Sequence, residues 1–182
     1  RGTTSGGVVL ASGETFADAL AVSPYAARRA YPVLLTPSTR ADVQTADVLA
    51  ALAPERIIVV GGEAAVAAHV VESYTASYLP DVERWGGETR YATARIIAEH
   101  ALDAGHSLER FALATGDNFA DALGGGLLMA RFNGVVLTTP SLQLHPEVTT
   151  LVERDAFAPG RGGLDVFVLG RPVAIAPAVS DA

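Results

Sequence analysis

Apolar and polar positions along this chain alternate between two kinds of segment, short β-rich runs and longer amphipathic stretches rich in alanine. The short runs are apolar at consecutive positions, a pattern that predicts strands buried on both faces. The predicted strands are Val8–Ser12, Pro32–Thr36, Arg56–Val60, Val82–Trp85, Phe111–Thr115, Val135–Thr139 and Leu164–Leu169. The stretches between them carry apolar residues at spacings of three and four, as amphipathic helices do. The predicted helices are Phe16–Arg29, Val43–Leu52, Glu63–Tyr78, Thr89–Ala104, Phe119–Arg131 and Pro146–Phe157.

The regular alternation of strand and helix predicts an α/β fold. Strands that are joined through helices pair in parallel by right-handed crossovers, and the helices cover both faces of the sheet. We therefore expect the apolar strand residues to form the core. The expected core positions are Val9, Leu10, Leu34, Ile58, Val59, Leu113, Leu137, Phe167 and Val168.

The chain contains an internal repeat. Residues 8–40 align without a gap on residues 111–143, and 15 of the 33 aligned pairs are identical. A second block, 57–70, matches 166–179 once six residues are added in the second copy. A repeat of this length exceeds a solenoid unit, so each copy should be a compact α/β layer of its own.

The repeat divides the chain into two predicted units. The first spans residues 1–104 and the second spans 105–182, with the boundary in the loop Gly105–Glu109. The segment Glu83–Ala98 occurs in one copy, so the first unit lacks its leading motif and helix and the second unit is truncated. We therefore expect a fragment of a longer repeat array, with an incomplete second unit.

The amino-acid composition excludes several classes of functional site and partner. Cysteine and lysine are both absent, which excludes thiol catalysis, cysteine metal sites and the lysine of a phosphate-binding loop. The net charge of −7 argues against nucleic acid as a partner, because that affinity comes mainly from neutralised phosphates. The apolar residues lie in short runs and Arg1 opens no apolar leader, so we expect a globular chain with no membrane span.

The sharpest motif is duplicated, at Ser12–Leu20 and Thr115–Leu123. In each copy a small hydroxyl residue, a glycine and an acid lead from a strand into a helix, which is ordinary chemistry for a helix start. Asp18 and Asp121 lie one turn further on, among apolar neighbours. Each carboxylate either bonds backbone amides of a neighbouring loop or contacts a ligand, and we include both residues as candidate polymer contacts.

A second duplicated feature lies at the strand ends Thr36 and Thr139, each followed by proline. Ligands of open parallel sheets bind beyond the carboxyl ends of the strands, so both threonines are candidate contacts. A buried strand closed by a Thr-Pro turn is the other interpretation. The Gly61-Gly62 turn could hold an anion at a helix start, but it lacks the third glycine of a dinucleotide site.

The single-copy stretch around residues 84–94 brings arginines and aromatic residues to a helix start. Arg84 and Arg90 could pair with phosphate or carboxylate groups, and an aromatic face such as that of Tyr91 could stack on a sugar ring. These three residues are the best polymer-contacting set in the chain. The alternative is structural, with Arg90 pairing with Asp18 or another acid to lock one repeat against the next.

The sequence carries few signatures of catalysis. The chain has no H-E-x-x-H and no G-x-S-x-G motif, and no carboxylate pair stands out as acid and base. The four histidines occur singly, and we expect them at solvated surface or loop positions. They are His69, His100, His106 and His145. We predict that the chain is not an enzyme and has no metal site or cofactor.

These motifs together resemble the cell wall binding repeat 2 family of Gram-positive bacteria. The resemblance rests on four elements that cover nearly the whole chain in the family's order. They are ASGETFADAL with ATGDNFADAL, PVLLT with VVLTT, IIVVGGEAAV with VFVLGRPVAI, and RWGGETRYATA. The all-arginine, alanine-rich composition suits an actinobacterium.

The resemblance implies a fold and a function. Each repeat should be a Rossmann-like α/β unit, and members of the family usually carry three repeats around a pseudo-threefold axis beside a variable effector domain. The implied function is to hold a secreted protein on an anionic wall polysaccharide, such as a teichoic-acid-like polymer, outside the cell. Further repeats or an effector domain of the parent protein are the other implied partners.

A second function class stays open on the residues alone. A small-ligand-binding or enzymatic domain of the doubly wound class would use the strand ends and Asp18 or Asp121 on a small polar substrate. Such an enzyme would concentrate its chemistry in one copy, whereas a duplicated motif favours repetitive binding along a polymer.

Overall fold

The structure is a computed structural model that describes residues 6–77, 80–116, 123–156 and 163–170. Within these residues strands and helices alternate as the sequence predicts. The strands are β1 (Gly7–Ser12), β2 (Val33–Thr36), β3 (Arg56–Val60), β4 (Asp81–Trp85), β5 (Arg110–Thr115), β6 (Val135–Thr139) and β7 (Asp165–Leu169). The helices are α1 (Ala17–Arg29), α2 (Val43–Leu52), α3 (Ala68–Thr75), α4 (Arg90–Asp103), α5 (Leu123–Phe132) and α6 (Pro146–Ala156).

The strands form two parallel sheets, which confirms the predicted fold class. The first sheet has the order β2-β1-β3-β4 and the second has the order β6-β5-β7. The first three strands of each unit therefore pair in the same way. The register repeats as well, since Leu10 pairs with Leu34 in the first sheet and Leu113 pairs with Leu137 in the second.

The central strand β1 shows why an apolar run forms a doubly covered strand. Successive side chains point to opposite faces, so Val9 and Leu10 enter different cores. Val9 belongs to a cluster with α1 and α4, whereas Leu10 packs under α2 and α3 with residues such as Leu49 and Val70. Both strand residues are fully buried.

One hydrophobic core joins the two units. The cluster that contains Val9 also includes Trp85 of β4, Ile97 of α4, Leu113 of β5 and Leu137 of β6. Helix α1 packs against α5 and β6 of the second unit, and α4 packs against β6 and α6. The division of the chain into two units at residue 104 stays a prediction. One sheet is formed by residues on each side of that boundary, and the hydrophobic core includes residues from both sides.

Three predicted core residues are only half-buried, which corrects that part of the sequence analysis. They are Leu34 on β2 and Phe167 and Val168 on β7. In the described part of the chain β2 and β7 are edge strands, and an edge strand has a neighbour on one side only. Periodicity identifies a strand but does not give its place in the sheet.

Helix α3 is shorter than predicted. It begins at Ala68 rather than at Glu63, and it ends at Thr75, while Tyr78 lies outside the described residues. The chain first turns after Gly62, whose carbonyl oxygen accepts hydrogen bonds from the next residues at 3.0 and 3.1 Å. The amide of Ala67 then donates to the carbonyl oxygen of Ser38 at 2.9 Å, outside this segment, and α3 begins only after that interruption.

The Gly124–Gly126 run lies in α5, which begins at Leu123; the predicted start, Phe119, is outside the described residues. A Cβ atom at Gly126 would collide with the hydroxyl of Ser23 on α1, and one at Gly125 would collide with Leu169 on β7. Gly125 and Gly126 therefore permit close packing of α5 against β7 and α1.

His106 and His100 depart from the expected surface positions, whereas His69 is exposed as expected. His106 is buried, its ring stacks on Tyr25 with centroids 6.1 Å apart, and its Nδ1 lies 3.0 Å from the carbonyl oxygen of Gly134. Burial lowers the pKa of His106. His100 stacks on Trp85 at 4.3 Å. Both rings pack against aromatic side chains that are distant in the sequence. The sequence positions of the histidines alone could not predict this packing.

No helix among the described residues is both long enough and apolar enough to cross a membrane.

Candidate functional site

A cleft of about 470 Å³ opens at the carboxyl edge of the first sheet. Three loops build it, those that follow β1, β3 and β4, as expected where parallel strands end at one edge. Its wall residues come from three stretches of sequence that are far apart in the chain. They are residues 14–18, residues 62, 64 and 65, and residues 87–90 with 93.

Glycines let the three loops approach one another. Gly61 adopts φ +95°, and a Cβ atom there would lie 2.5 Å from Oδ2 of Asp18. A Cβ atom at Gly86 would collide with the backbone of Gly61. Side chains at these two positions would force the loops apart, so glycine at Gly61 and Gly86 is what shapes the cleft.

Asp18 lies in the wall of the cleft, in the first turn of α1. It is 8% exposed, and its Oδ1 accepts no hydrogen bond from the described part of the chain. Burial raises the pKa of this carboxyl to about 6, while the positive charge of Arg90 acts in the opposite direction. The loop-amide partners that sequence reasoning offered for Asp18 are not found among the described residues.

Arg84 supports the loop after β3 from within. Its Nη1 donates to the carbonyl oxygen of Gly61 at 2.9 Å, and its Nη2 donates to that of Val66, also at 2.9 Å. The side chain is half-buried, and desolvation lowers its pKa. Both terminal nitrogens of Arg84 therefore bind the backbone beside the cleft. This favours a structural role for Arg84 over the predicted contact with polymer.

Arg90 and Tyr91 begin α4 and reach the second unit. Thr89 caps this helix by accepting a hydrogen bond from Ala92, which fixes where the two side chains emerge. Arg90 is exposed, lines the cleft and donates to the carbonyl oxygen of Gly116. Tyr91 stacks on His145 with ring centroids 4.3 Å apart. Arg90 therefore links the repeats, as its structural alternative predicted, although through a carbonyl oxygen of the second unit.

Thr36 and Thr139 are buried, at 1% and 0% exposure, so neither presents its hydroxyl to a polymer. Thr36 shares a hydrogen bond with the hydroxyl of Tyr74 at 2.7 Å. Thr139 donates to the carbonyl oxygen of Gln143 and accepts from the amide of His145. These bonds favour the other interpretation, because both hydroxyls close the turns that follow their strands.

Sequence reasoning missed a hydrogen bond that the repeat preserves. Ser12 and Ser38 lie 3.1 Å apart through their Oγ atoms, and Thr115 and Ser141 make the equivalent contact at 3.1 Å. The signal was present, because serine follows the Thr-Pro pair in both copies. These bonds tie the first loop to the second at the carboxyl edge of each sheet.

The structure thus brings together only part of the predicted set. Asp18 and Arg90 share the cleft, and Tyr91 lies beside the second unit. Asp121 lies outside the described residues. No group of three or more His, Asp or Glu side chains in the described ranges is arranged to hold a metal ion.

Comparison with known proteins finds a matching family. Residues 2–71 and 84–180 match the family model described as Cell wall binding domain 2. The chain is 32% identical over 130 residues to the amidase enhancer of Bacillus subtilis strain 168, and to the same extent to N-acetylmuramoyl-L-alanine amidase LytC of that strain. Each alignment covers 71% of the chain.

Two solved structures share the fold. Cwp6 from Clostridium difficile superposes with a TM-score of 0.84 at 21% identity, and Cwp8 from the same organism with 0.78 at 23%. Each match covers 97% of the chain, and 27% and 28% of those proteins. The aligned region spans only 17% of the amidase enhancer and 24% of the amidase, so the chain corresponds to a part of each.

Proposed function

The chain belongs to the cell wall binding domain 2 family, and we propose that it anchors a secreted protein to an anionic secondary wall polymer. A wall-binding module acts outside the cell, in association with the wall. The polymer class, a teichoic-acid-like glycan, is the part that we propose. The effector joined to the module is a further proposal, and an accessory or catalytic wall enzyme fits the names of the two relatives.

The cleft at the carboxyl edge of the first sheet is the observation that carries this proposal. It is open, its walls come from three loops, and glycines hold those loops in place. Arg90 lies at its rim beside the second unit. A site in one repeat whose rim touches the next suits a polymer, because successive sugars can follow the surface from one repeat to the next.

We propose that the module itself is not catalytic. Arg84 and the two threonines are used in holding loops, which leaves Asp18 as the buried carboxyl group in the described wall of the cleft. General acid–base chemistry ordinarily needs a second group within reach of the substrate. The runner-up, a small-ligand-binding or enzymatic domain, rests on that same Asp18. Turnover of wall fragments by the isolated chain would favour it.

Sedimentation with purified cell walls tests the anchoring function. The chain should pellet with intact walls and stay in the supernatant once phosphate-containing polymer has been removed by acid. Retention should fall as salt rises, since the charged contacts are few and exposed. Equal retention by stripped walls would overturn the proposed polymer class.

A matched pair of variants locates the site. Arg90→Gln should weaken retention several-fold because it removes the exposed cation at the rim, which can meet a phosphate of the polymer outside the acidic interior of the cleft. Arg40→Gln changes an exposed arginine outside the cleft lining and should leave retention unaltered. Equal behaviour of the two variants would move the polymer contact away from this cleft.

Two further parts of the proposal concern the number of repeats and the organism from which the chain comes. Affinity for each repeat should be modest, so adding a third repeat should raise retention by about one order of magnitude or more if the geometry permits.

The relatives come from Bacillus and Clostridium. An actinobacterial source remains our proposal from the all-arginine composition.

A further inference from the structure

The charges that line the cleft oppose binding of a phosphate group there. Glu14, Asp18 and Glu88 are acidic, and Arg90 is the one cation among the described lining residues. The Nη1 of Arg90 is engaged with the carbonyl oxygen of Gly116 across the junction. A phosphate in the cleft would therefore meet more negative charge than positive.

Asp18 gives this acidic cleft a specific polar group. The side chain is more than nine-tenths buried, it lines the cleft, and Oδ1 accepts no hydrogen bond from the described residues. A buried carboxylate oxygen without a donor is costly, and in native structures such an atom calls for an explanation. A positively charged donor in the cleft would best compensate this buried carboxylate.

We propose that this cleft binds a protonated primary amine carried by the wall polymer, with Asp18 as its acceptor and the Glu14 and Glu88 carboxylates at the rim. The amine is either that of an unacetylated amino sugar or that of an aminoacyl ester. This inference rests on the proposed function and deepens it. A polymer that carries both phosphate and amine groups is then held at the cleft by its amine.

Other charged groups around Asp18 are few. Glu14 lies on the loop after β1, where its Oε1 accepts from the amide of Ser38 at 3.2 Å. Glu63 follows β3 and faces Arg84. Glu88 and Arg90 precede and begin α4. The rim carboxylates are exposed, whereas Asp18 is buried, so protonation of Asp18 changes the charge inside the site.

Amide chemical-shift titration of the isotope-labelled chain tests the inference. The probes are glucosamine, N-acetylglucosamine and D-alanine methyl ester, added at pH 7.5. Glucosamine or the ester should shift resonances of the cleft residues, and whichever binds identifies the source of the amine. N-acetylglucosamine should bind at least tenfold more weakly. Equal binding of the acetylated sugar, or no shift with either amine, would overturn the proposal.

Variants and pH complete the test. Asp18→Asn should weaken amine binding at least tenfold, whereas Asp47→Asn, an exposed acid on α2, should not change it. In the unsubstituted chain, lowering the pH to 5 should weaken binding up to about tenfold by protonating Asp18. Glu88→Gln, at an exposed position, should weaken it two- to fivefold. If Asp18→Asn does not fold, the last two measurements decide.

Wall sedimentation separates the two proposals. If the chain pellets with walls but binds neither amine, anchoring holds and the amine site is wrong. If the chain binds amines and does not pellet with walls, the anchoring function is wrong. Retention of the Asp18→Asn variant at the level of the unsubstituted chain would also count against the amine as the wall contact.

Discussion

The loops after β1 and β5 have nearly the same sequence but different surroundings. In both, the amide of the glycine donates to the threonine carbonyl of the neighbouring strand, from Gly13 to Thr36 at 2.8 Å and from Gly116 to Thr139 at 3.0 Å. Gly13 is exposed, whereas Gly116 is buried under Arg90 and Tyr91. The repeat therefore preserves the hydrogen bond of this glycine and not the surroundings of the glycine.

The difference shows what the single-copy segment does. Residues at the start of α4 cover Gly116 of the unit that follows, whereas Gly13, at the matched position next to the wall of the cleft, has no such cover among the described residues. The same glycine of the repeat is thus buried between the units in one copy and exposed beside the cleft in the other. The four predictions that follow compare these two regions, starting with the largest expected effect.

The cores beneath the two loops should be equivalent. Leu10→Ala and Leu113→Ala remove fully buried side chains at matched positions, so each should lower the free energy of unfolding by about 2–5 kcal/mol. Chemical denaturation measures the change. Leu142→Ala, at an exposed leucine, is the control and should have almost no effect. A large difference between the two core variants would break the equivalence.

The two arginines should differ in stability. Arg84 makes two hydrogen bonds to backbone carbonyls beside the open cleft, so Arg84→Gln should lower the free energy of unfolding by about 1.5–3 kcal/mol. Arg90→Gln loses a contact of an exposed side chain and should cost about 1 kcal/mol or less. Thermal unfolding ranks them, and the reverse order would contradict these assignments.

The glycines should separate the covered loop from the open one. A Cβ atom at Gly116 would lie 2.8 Å from side-chain atoms of both Arg90 and Tyr91, so Gly116→Ala should cost about 1–3 kcal/mol. At Gly13 the nearest atoms lie 3.6 Å away, an ordinary contact distance, so Gly13→Ala should change stability by about 0.5 kcal/mol or less. Equal costs would show that Arg90 and Tyr91 do not cover the loop tightly.

The smallest effect concerns pH. Burial raises the pKa of Asp18 from 3.8 to about 6, so the folded chain holds this proton more tightly than the unfolded chain does. Stability should therefore rise as the pH falls from about 6 towards 4, by on the order of 1–2 kcal/mol. His106 acts in the opposite direction, because its lowered pKa makes protonation destabilise the folded chain below pH 6.5.

Comparison with Asp18→Asn isolates that effect. The difference in unfolding free energy between the two proteins should change with pH, since His106 contributes equally to both. Urea titrations at several pH values measure it. A difference that stays constant between pH 7 and pH 4 would show that the carboxyl of Asp18 is not buried in solution.

Sequence predicted the fold well because its signals are local. Apolar runs such as those of β3 and β6, and the helical spacing of α2, give their bounds to the residue. The repeat then indicated that both sheets share one topology. What sequence could not supply was packing between units, since Leu20 of α1 and Met129 of α5 meet in one cluster although their separation in the chain gives no sign of it.

The candidate site was predicted less completely for the same reason. Asp18 was identified from its position among apolar neighbours, and Arg90 from its place at a helix start. Whether an arginine or a threonine is free to bind depends on three-dimensional partners, such as Val66 for Arg84 and Tyr74 for Thr36. Such partners lie far along the chain, and no local pattern records them.

The core that the two units share has a mechanical consequence. A module that ties a protein to the wall carries load, and force applied at one end must cross from one sheet to the other. Phe111 and Val135 of the second sheet pack in the same cluster as Ile58 of the first, and Arg95 of α4 pairs with Glu147 of α6 at 2.5 Å. Pulling therefore shears a continuous apolar interior rather than a flexible joint, and the two repeats should yield together in a single rupture event.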